Sequence, residues 1–223
     1  LDILDRFTTF NIAARYPDYK LKFYKECTRE YTKDRIIEID ERIYSKISPV
    51  IEGIGLLFVV KIPTNNSIVS DCNTLILENI QDPGNLGTIF RSAVAGGIEQ
   101  IICSSGTSSA WSPKVLRAGM GAHFSLNIVE NQDLPEVVGK LNVPIYATSL
   151  SADDTIYDED FPDNVAWIFG NEGKGVTIQL QNYATKKLII PQSKDIESLN
   201  VAMAATICIF EHFRQSIAKN NQR

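Results

Sequence analysis

The stretch TLILENIQDPGNLGTIFRSAVAGG, residues 74–97, decides how this sequence folds. Thr74 to Leu77 is a near-continuous apolar run, too short for a helix and bounded by polar residues, and reads as a buried strand. Pro83 and Gly84 set a turn, and Asn85 is placed to cap the next helix. Leu86 to Ala95 has helical periodicity and stops at Gly96-Gly97. Strand, tight turn and helix make half of a βαβ unit, and the same grammar recurs downstream. Strands are predicted at Gln100–Cys103, Ile145–Ser149, Val165–Phe169 and Lys187–Ile190. Helices are predicted at Ser112–Gly121, Thr177–Tyr183 and Ser198 to about Ala218. Continuous apolar strands alternating with helices predict an α/β domain with a mostly parallel sheet covered on both faces.

Upstream the character changes. The first fifty residues hold ten bases and nine acids and no glycine. Pro17 and Asp18 can open a helix over Lys20–Lys46, and Ser48-Pro49 ends the region. Leu56–Ile62 is strand-like, and Pro63–Ser70 is a polar connector. The expected organisation is a small, mainly helical N-terminal region over 1–52, a strand and linker over 53–70, and the α/β domain over 71–223.

Composition narrows the function classes. Of 223 residues, 44% are hydrophobic and 22% charged, which excludes wholesale disorder. The longest apolar-looking stretch, Leu199–Phe210, is 12 residues, short of the roughly 20 that span a bilayer, so no membrane partner is expected. No basic segment precedes an apolar core at LDILDRFTTF, so no signal peptide is expected. A first residue of Leu1 rather than Met reads as a fragment or a processed chain. Cys27, Cys72, Cys103 and Cys208 share neither metal-ligand nor redox spacing, and His123 and His212 are far apart. A reducing cytoplasm is the expected compartment, and no metal is expected. The net charge of −5 argues at first against a polyanionic partner. Residues 151–163, SADDTIYDEDFPD, hold six acids and no base, however, and without them the remainder is +1.

The final helix carries Leu199, Val201, Ala202, Met203, Ala204, Ala205, Ile207, Cys208, Ile209 and Phe210 around its whole circumference. A helix apolar on every side is expected to be buried on every side. Packing against a second subunit achieves that, as does a central position in a monomer.

Three loops follow strands and carry polar residues. In the first, Asn79 to Arg91, Asn85 sits at the expected cap and Arg91 nearly two turns on, in an apolar helix where a guanidinium needs an anionic or carbonyl partner. The second, FGNEGKG at 169–175, has three glycines that allow close approach to the backbone around Glu172 and Lys174, but matches neither phosphate-loop pattern. The third, Ile189 to Asn200, brings Ser198 and Asn200 into the start of the final helix. Each alone reads equally well as a turn or a cap. All three lie at strand carboxyl ends, where ligands of α/β sheets bind.

Together, in this order, the segments NIQDPGNLGTIFRSA, WIFGNEGKGV and LIIPQSKDIESLNVAMA resemble the three motifs of the SpoU/TrmH family of the SPOUT superfamily. The match runs roughly from Gly55 to Phe213 and includes SPKVLRAGMG at 112–121. The resemblance implies a C-terminal trefoil knot, S-adenosyl-L-methionine as methyl donor, a ribose 2′-hydroxyl of ribosomal or transfer RNA as acceptor, and a homodimer. It carries the catalytic set onto Asn85, Arg91, Glu172, Ser198 and Asn200. It carries donor binding, largely through backbone, onto Thr148, Gly170, Ile190 and Leu199. The resemblance implies Arg91 as base, and the chemistry of a guanidinium offers a grip on the neighbouring phosphate as the alternative. A non-catalytic RNA-binding module and a nucleotide-binding α/β domain are the competing readings. Residues 6–31 resemble part of a HEPN-type helical domain rather than the usual N-terminal RNA-binding domain of the family.

Overall fold

The structure is a computed structural model and describes residues 37–48, 57, 62, 67–193 and 195–220. The chain divides into two compact units, Leu1–Pro63 and Thr64–Arg223. In the first, helix α1 spans Glu41–Ile47. Most of the predicted Lys20–Lys46 helix, the HEPN-like stretch and the Leu56–Ile62 strand lie outside the described residues, but 37–40 are not helical. The reason is Asp40, whose extended backbone puts its carboxylate in position to accept the Arg42 N–H at 2.8 Å and start the helix there.

The second unit runs β1 (Thr74–Leu77), α2 (Pro83–Ala95), β2 (Gln100–Ser104), α3 (Pro113–Gly119), a 3-10 turn (Ala122–Phe124), β3 (Asn127–Gln132), α4 (Leu134–Val138), β4 (Ile145–Thr148), β5 (Ala166–Phe169), α5 (Ile178–Gln181), β6 (Lys186–Leu188) and α6 (Val201–Asn220). The sheet order is β3-β2-β1-β5-β4-β6, with every neighbouring pair parallel. The expected parallel α/β sheet is therefore present. β1 and β5 are buried at every position, as continuous apolar runs require. Alternation along each strand splits the core. Leu75, Leu77, Trp167 and Phe169 face the layer of α2, α3 and α6, where Leu86, Phe90, Val115, Ala205 and Ile209 meet them. Ile76, Ile102, Ala147 and Ile168 face α4 and α5 through Val137, Val138 and Leu180.

Several expectations change. β3 and α4 have no counterpart among the elements predicted from sequence. Only Ile128 and Val129 of edge strand β3 are buried, which leaves too short an apolar run to stand out. α2 begins at Pro83, not Leu86, because Asp82 rather than Asn85 is the cap. The Asp82 carboxylate accepts the Asn85 N–H at 2.7 Å, and Pro83 brings a pre-set φ to the first turn. α6 begins at Val201 rather than Ser198, because Asn200 Oδ1 accepts from the N–H groups of Ala202 at 2.9 Å and Met203 at 3.3 Å. Nor is α6 buried on every side within this chain: Met203, Phe210 and Ile217 are 48%, 42% and 46% exposed. Spaced seven apart, they form one stripe opposite the buried face of Ala202, Ala205, Cys208 and Ile209.

α2 and α6 run side by side in the same direction. The hydroxyls of Ser92 and Thr206 meet at 2.8 Å, and one turn on, a Cβ on Gly96 would fall 2.1 Å from Ile209 Cγ2. The acidic segment is held locally. Lys186 pairs with Asp154 at 3.0 Å and Glu159 at 2.8 Å, and Lys219 with Asp160 at 2.6 Å. Both histidines are core residues. His123 packs on Phe90 and Trp111 and His212 on Phe161, each bonded to a backbone carbonyl, and burial pushes both below the usual imidazole range. Among the described residues no helix is long and apolar enough to cross a membrane.

Gly87 tests the packing. Its missing Cβ would fall 2.4 Å from the Ala118 Cβ and 2.7 Å from the Val115 carbonyl. Helix propensity alone predicts that Gly87→Ala stabilises by up to about 1 kcal/mol. The α2–α3 crossing reverses the sign, and the expected outcome in urea unfolding is a loss of about 1–3 kcal/mol.

Candidate active site

Three chain segments converge at the carboxyl end of the sheet. α2 starts after β1, the glycine-rich loop follows β5, and the 189–200 loop follows β6. Gly170 directly follows β5, and a Cβ there would fall 2.2 Å from the Gly175 carbonyl group. The loop is thus folded back on its own first residue, closed by the Gly175 N–H donating to Asn171 O at 2.8 Å. Gly175 takes φ +68, which glycine accepts without strain. Asn171 stiffens the turn: its Oδ1 accepts from the N–H groups of Gly173 and Lys174, and its Nδ2 donates to Asn79 O at 3.0 Å.

That geometry aims Glu172 at the start of α2. Its carboxylate accepts from the N–H groups of Gln81 at 3.3 Å and Asp82 at 3.2 Å, and from Asn85 Nδ2 at 3.1 Å. An acid at a helix N-terminus is well placed for the dipole and the unpaired N–H groups. Asn200 Nδ2 completes the chain by donating to Asn85 Oδ1 at 3.0 Å. Because Asp82 has taken the capping role, Asn85 keeps its whole side chain for this bridge. One hydrogen-bonded line, Asn200–Asn85–Glu172, therefore joins the three segments.

Beside it lies a cleft of about 530 Å³ lined by Thr148, Gly170, Ile190 and Leu199, with Glu172 and Ser198 at its polar edge. Of the nine residues singled out from sequence, six line the cleft, and Asn85 and Asn200 join it through Glu172. Arg91 differs. It is exposed on α2, and among the described residues no hydrogen bond or ion pair engages its guanidinium. The apolar setting expected for it is not found, because Phe90 turns inward and Arg91 outward.

The profile of the SpoU rRNA Methylase family matches residues 73–210, which hold all three converging segments. The chain belongs to this family.

Among its relatives is a protein of Synechocystis named as an uncharacterized tRNA/rRNA methyltransferase, 39% identical over 65% of this chain and 54% of its own length. The 23S rRNA (guanosine(2553)-2′-O)-methyltransferase RlmP of Bacillus subtilis is 37% identical over 63% of this chain and 57% of its own. The crystal structure of the SpoU methyltransferase AviRb of Streptomyces viridochromogenes in complex with AdoMet superposes with a TM-score of 0.65 and 27% identity, covering 71% of this chain and 64% of that one. This chain thus spans a little over half the length of the named relatives it matches.

One supporting residue of this SpoU chain went unremarked in the sequence. Glu78, directly after β1, accepts from Thr177 N at 2.8 Å and Thr177 Oγ1 at 2.7 Å, and so anchors the far end of the glycine-rich loop. An acid at the carboxyl end of a fully buried strand was the available signal. Thr177 also caps α5 through Oγ1, at 3.4 Å from Leu180 N.

Partial burial works to raise the Glu172 pKa, but hydrogen bonds from its own N–H, Asn85, Asp82 and Gln81 outweigh it and hold the carboxyl below its usual range. A depressed carboxylate contributes stability above its unfolded pKa of about 4.3 and loses it as pH falls through the lower folded value. The stability gap between wild type and Glu172→Gln is accordingly expected to be constant from pH 5 to 7 and to close below about pH 4, as read by urea unfolding across that range.

Proposed function

We propose that this chain transfers a methyl group from S-adenosyl-L-methionine to a ribose 2′-hydroxyl of RNA, ribosomal or transfer. The observation that carries the reading is the Asn200–Asn85–Glu172 line running into a cleft whose floor is glycine backbone. The names of the relatives support it: RlmP is a 2′-O-methyltransferase, and AviRb was crystallised with AdoMet.

The cleft suits such a donor. Its volume is within the usual range for small-molecule sites. Gly170, lacking a Cβ, lets the backbone of Gly175 and Val176 close against it and so sets the wall of the cleft, and Ile190 and Leu199 offer an apolar surface for adenine. Thr148, Gly170, Ile190 and Leu199 are assigned to the donor. When bound, the donor would supply a methyl group on a positive sulfonium, its S–CH3 bond giving way to the new O–CH3 bond with a neutral thioether left behind and the hydroxyl proton released to solvent.

The remaining steps belong to the protein's own residues. Glu172, ionised and held by three donors, fixes the start of α2 against the loop and presents one negative edge to the cleft. Asn85 and Asn200 lock that orientation, so that the acceptor oxygen meets a preformed surface. Ser198 lines the cleft edge with no hydrogen-bond partner among the described residues and is assigned to the sugar. Arg91 is exposed and has no partner among the described residues, and its planar fork of N–H donors is assigned to the phosphate beside the reacting ribose. Labelled methyl transfer to total RNA, with the modified position mapped, tests the whole reading. Arg91→Ala is expected to lower turnover roughly 100-fold and Arg91→Lys nearly as much, because Lys preserves charge but not the fork. Near-full turnover of Arg91→Lys removes the clamp, and methyl found on a base removes the ribose assignment.

Two finer features accompany this reading. The C-terminal trefoil knot is supported by the path of the chain after β6. Leu188 O accepts from Ser149 N, Ile189 N donates to Asp154 O, and Ile189 O accepts from Ile156 N, so the chain passes against the 149–156 loop before α6 begins. The homodimer is supported by the exposed Met203–Phe210–Ile217 stripe, which water covers at a cost and a second copy of α6 covers well. Phe210→Asp is expected to move the protein from dimer to monomer in sedimentation while leaving the core intact. A wild-type chain that sediments as a monomer overturns this part. Residence in the cytoplasm fits a substrate of ribosomal or transfer RNA and belongs to the same proposal.

A further inference from the structure

We infer that the α3 face is a second RNA contact: Lys114 and Arg117 bind the phosphodiester backbone, and Phe124 stacks on a base outside the nucleotide that is methylated. This rests on the function proposed above and names the part of the substrate that the cleft does not hold.

Charge is the first observation. In the Thr64–Arg223 unit, the bases near the acidic segment and on α4 are spent on carboxylates: Lys140 with Glu136, Lys186 with Asp154 and Glu159, Arg214 with Glu211, Lys219 with Asp160. Lys114 and Arg117 are exposed, and among the described residues neither has a carboxylate or hydrogen-bond partner. Arg91 and Lys174 share that condition, as does Lys187 on β6. Lys114 and Arg117 are three apart on α3 and so project from neighbouring positions of one face. Three of the six acids of 151–163, Asp154, Glu159 and Asp160, thus have basic partners, while four cations with no carboxylate partner among the described residues stand on elements that follow β1, β2 and β5.

Position is the second. The turn leading from β2 toward α3 is stitched to the segment that receives Glu172. Ser104 Oγ accepts from Asn79 N at 2.8 Å, Ser108 N donates to Ile80 O at 2.8 Å, and Ser108 Oγ donates to Gln81 O. Further on, Gly87 of α2 packs directly on Val115, Ala118 and Gly119 of α3. β2 lies beside β1 on the side away from β5, so two strand spacings, about 10 Å, separate its end from the floor of the cleft. A stacked single strand covers that span in about three nucleotides, and Phe124, three residues before the amino end of β3, lies further along the same RNA strand.

The third observation is the aromatic. Phe124 is 48% exposed and Met120 42%, both directly after α3. Phe124 does not hang on a loose loop. Its neighbour His123 is buried against Phe90 and Trp111, with Nε2 bonded to Ala110 O at 2.7 Å, which pins the 3-10 turn. An exposed aromatic in the turn that follows a helix bearing two exposed cations is the composition of a single-strand RNA platform, in which charge follows the backbone and the ring accepts any base.

The test measures binding of bulk ribosomal RNA by wild type, Lys114→Ala/Arg117→Ala and Phe124→Ala over a range of salt, with S-adenosyl-L-methionine affinity measured separately. The double variant is expected to bind RNA roughly tenfold more weakly and to lower the log–log salt slope by about 1.4, two single-strand phosphates' worth. Phe124→Ala is expected to weaken RNA binding at every salt with the slope unchanged. Donor affinity stays at the wild-type value in both. Unchanged RNA affinity and slope in the double variant overturn the inference, as does a wild type that binds no RNA. A Phe124→Ala protein that loses its oligomeric state but keeps its RNA affinity makes this face a protein contact and overturns it too. Failure of the wild type to bind the donor strikes the proposed function instead, since RNA binding is read without methyl transfer.

Discussion

The side chain of Asn85 stands between Glu172 and Asn200, and the geometry of the carboxyl edge depends on it. The residues it joins are 87 and 115 positions away in sequence. Each contact is a single hydrogen bond of about 3 Å, worth little on its own in a half-exposed setting. Their effect is positional. Together they define where the glycine-rich loop, the first turn of α2 and the first turn of α6 stand relative to one another, and so shape the cleft.

That bridge is available only because other residues have taken the simpler tasks. Asp82 caps α2, so Asn85 is free of it. Asn171 and Glu78 hold the two ends of the glycine-rich loop, so Glu172 has no structural duty inside its own turn. Asn200 does two things at once, capping α6 through Oδ1 and reaching Asn85 through Nδ2. An amide can do this because it carries donors and acceptors on one rigid group, whereas a carboxylate at the same place could only accept.

Electrostatics follows the same division of labour. The six acids of 151–163 gave the chain its negative balance. In the fold they are gathered beside β4, β6 and the far end of α6, where Lys186 and Lys219 answer them. Net charge was therefore a poor guide to a polyanionic partner, and local charge is a better one. The cations of α2, α3 and the glycine-rich loop, which have no carboxylate partner among the described residues, stand on elements that follow β1, β2 and β5.

Taken by itself, the sequence determined the alternation of buried strands and helices, the parallel sheet, and the three loops at strand ends. Each rests on local information: apolar runs too short to be helices, and Pro-Gly or Gly-Gly punctuation. β3 escaped because an edge strand with two buried residues leaves almost no pattern. Asp82 was passed over for Asn85 because both are good caps and only backbone geometry chooses between them. Arg91 was expected in an apolar setting because its sequence neighbours are apolar, whereas on a helix the next residue points about 100° away. Met203 and Phe210 were expected to be buried because composition carries no direction. The site residues were legible as types, but their connection was not. Hydrogen bonds are short and directional, so a link between residues over a hundred positions apart exists only once tertiary packing has brought α2 and α6 side by side.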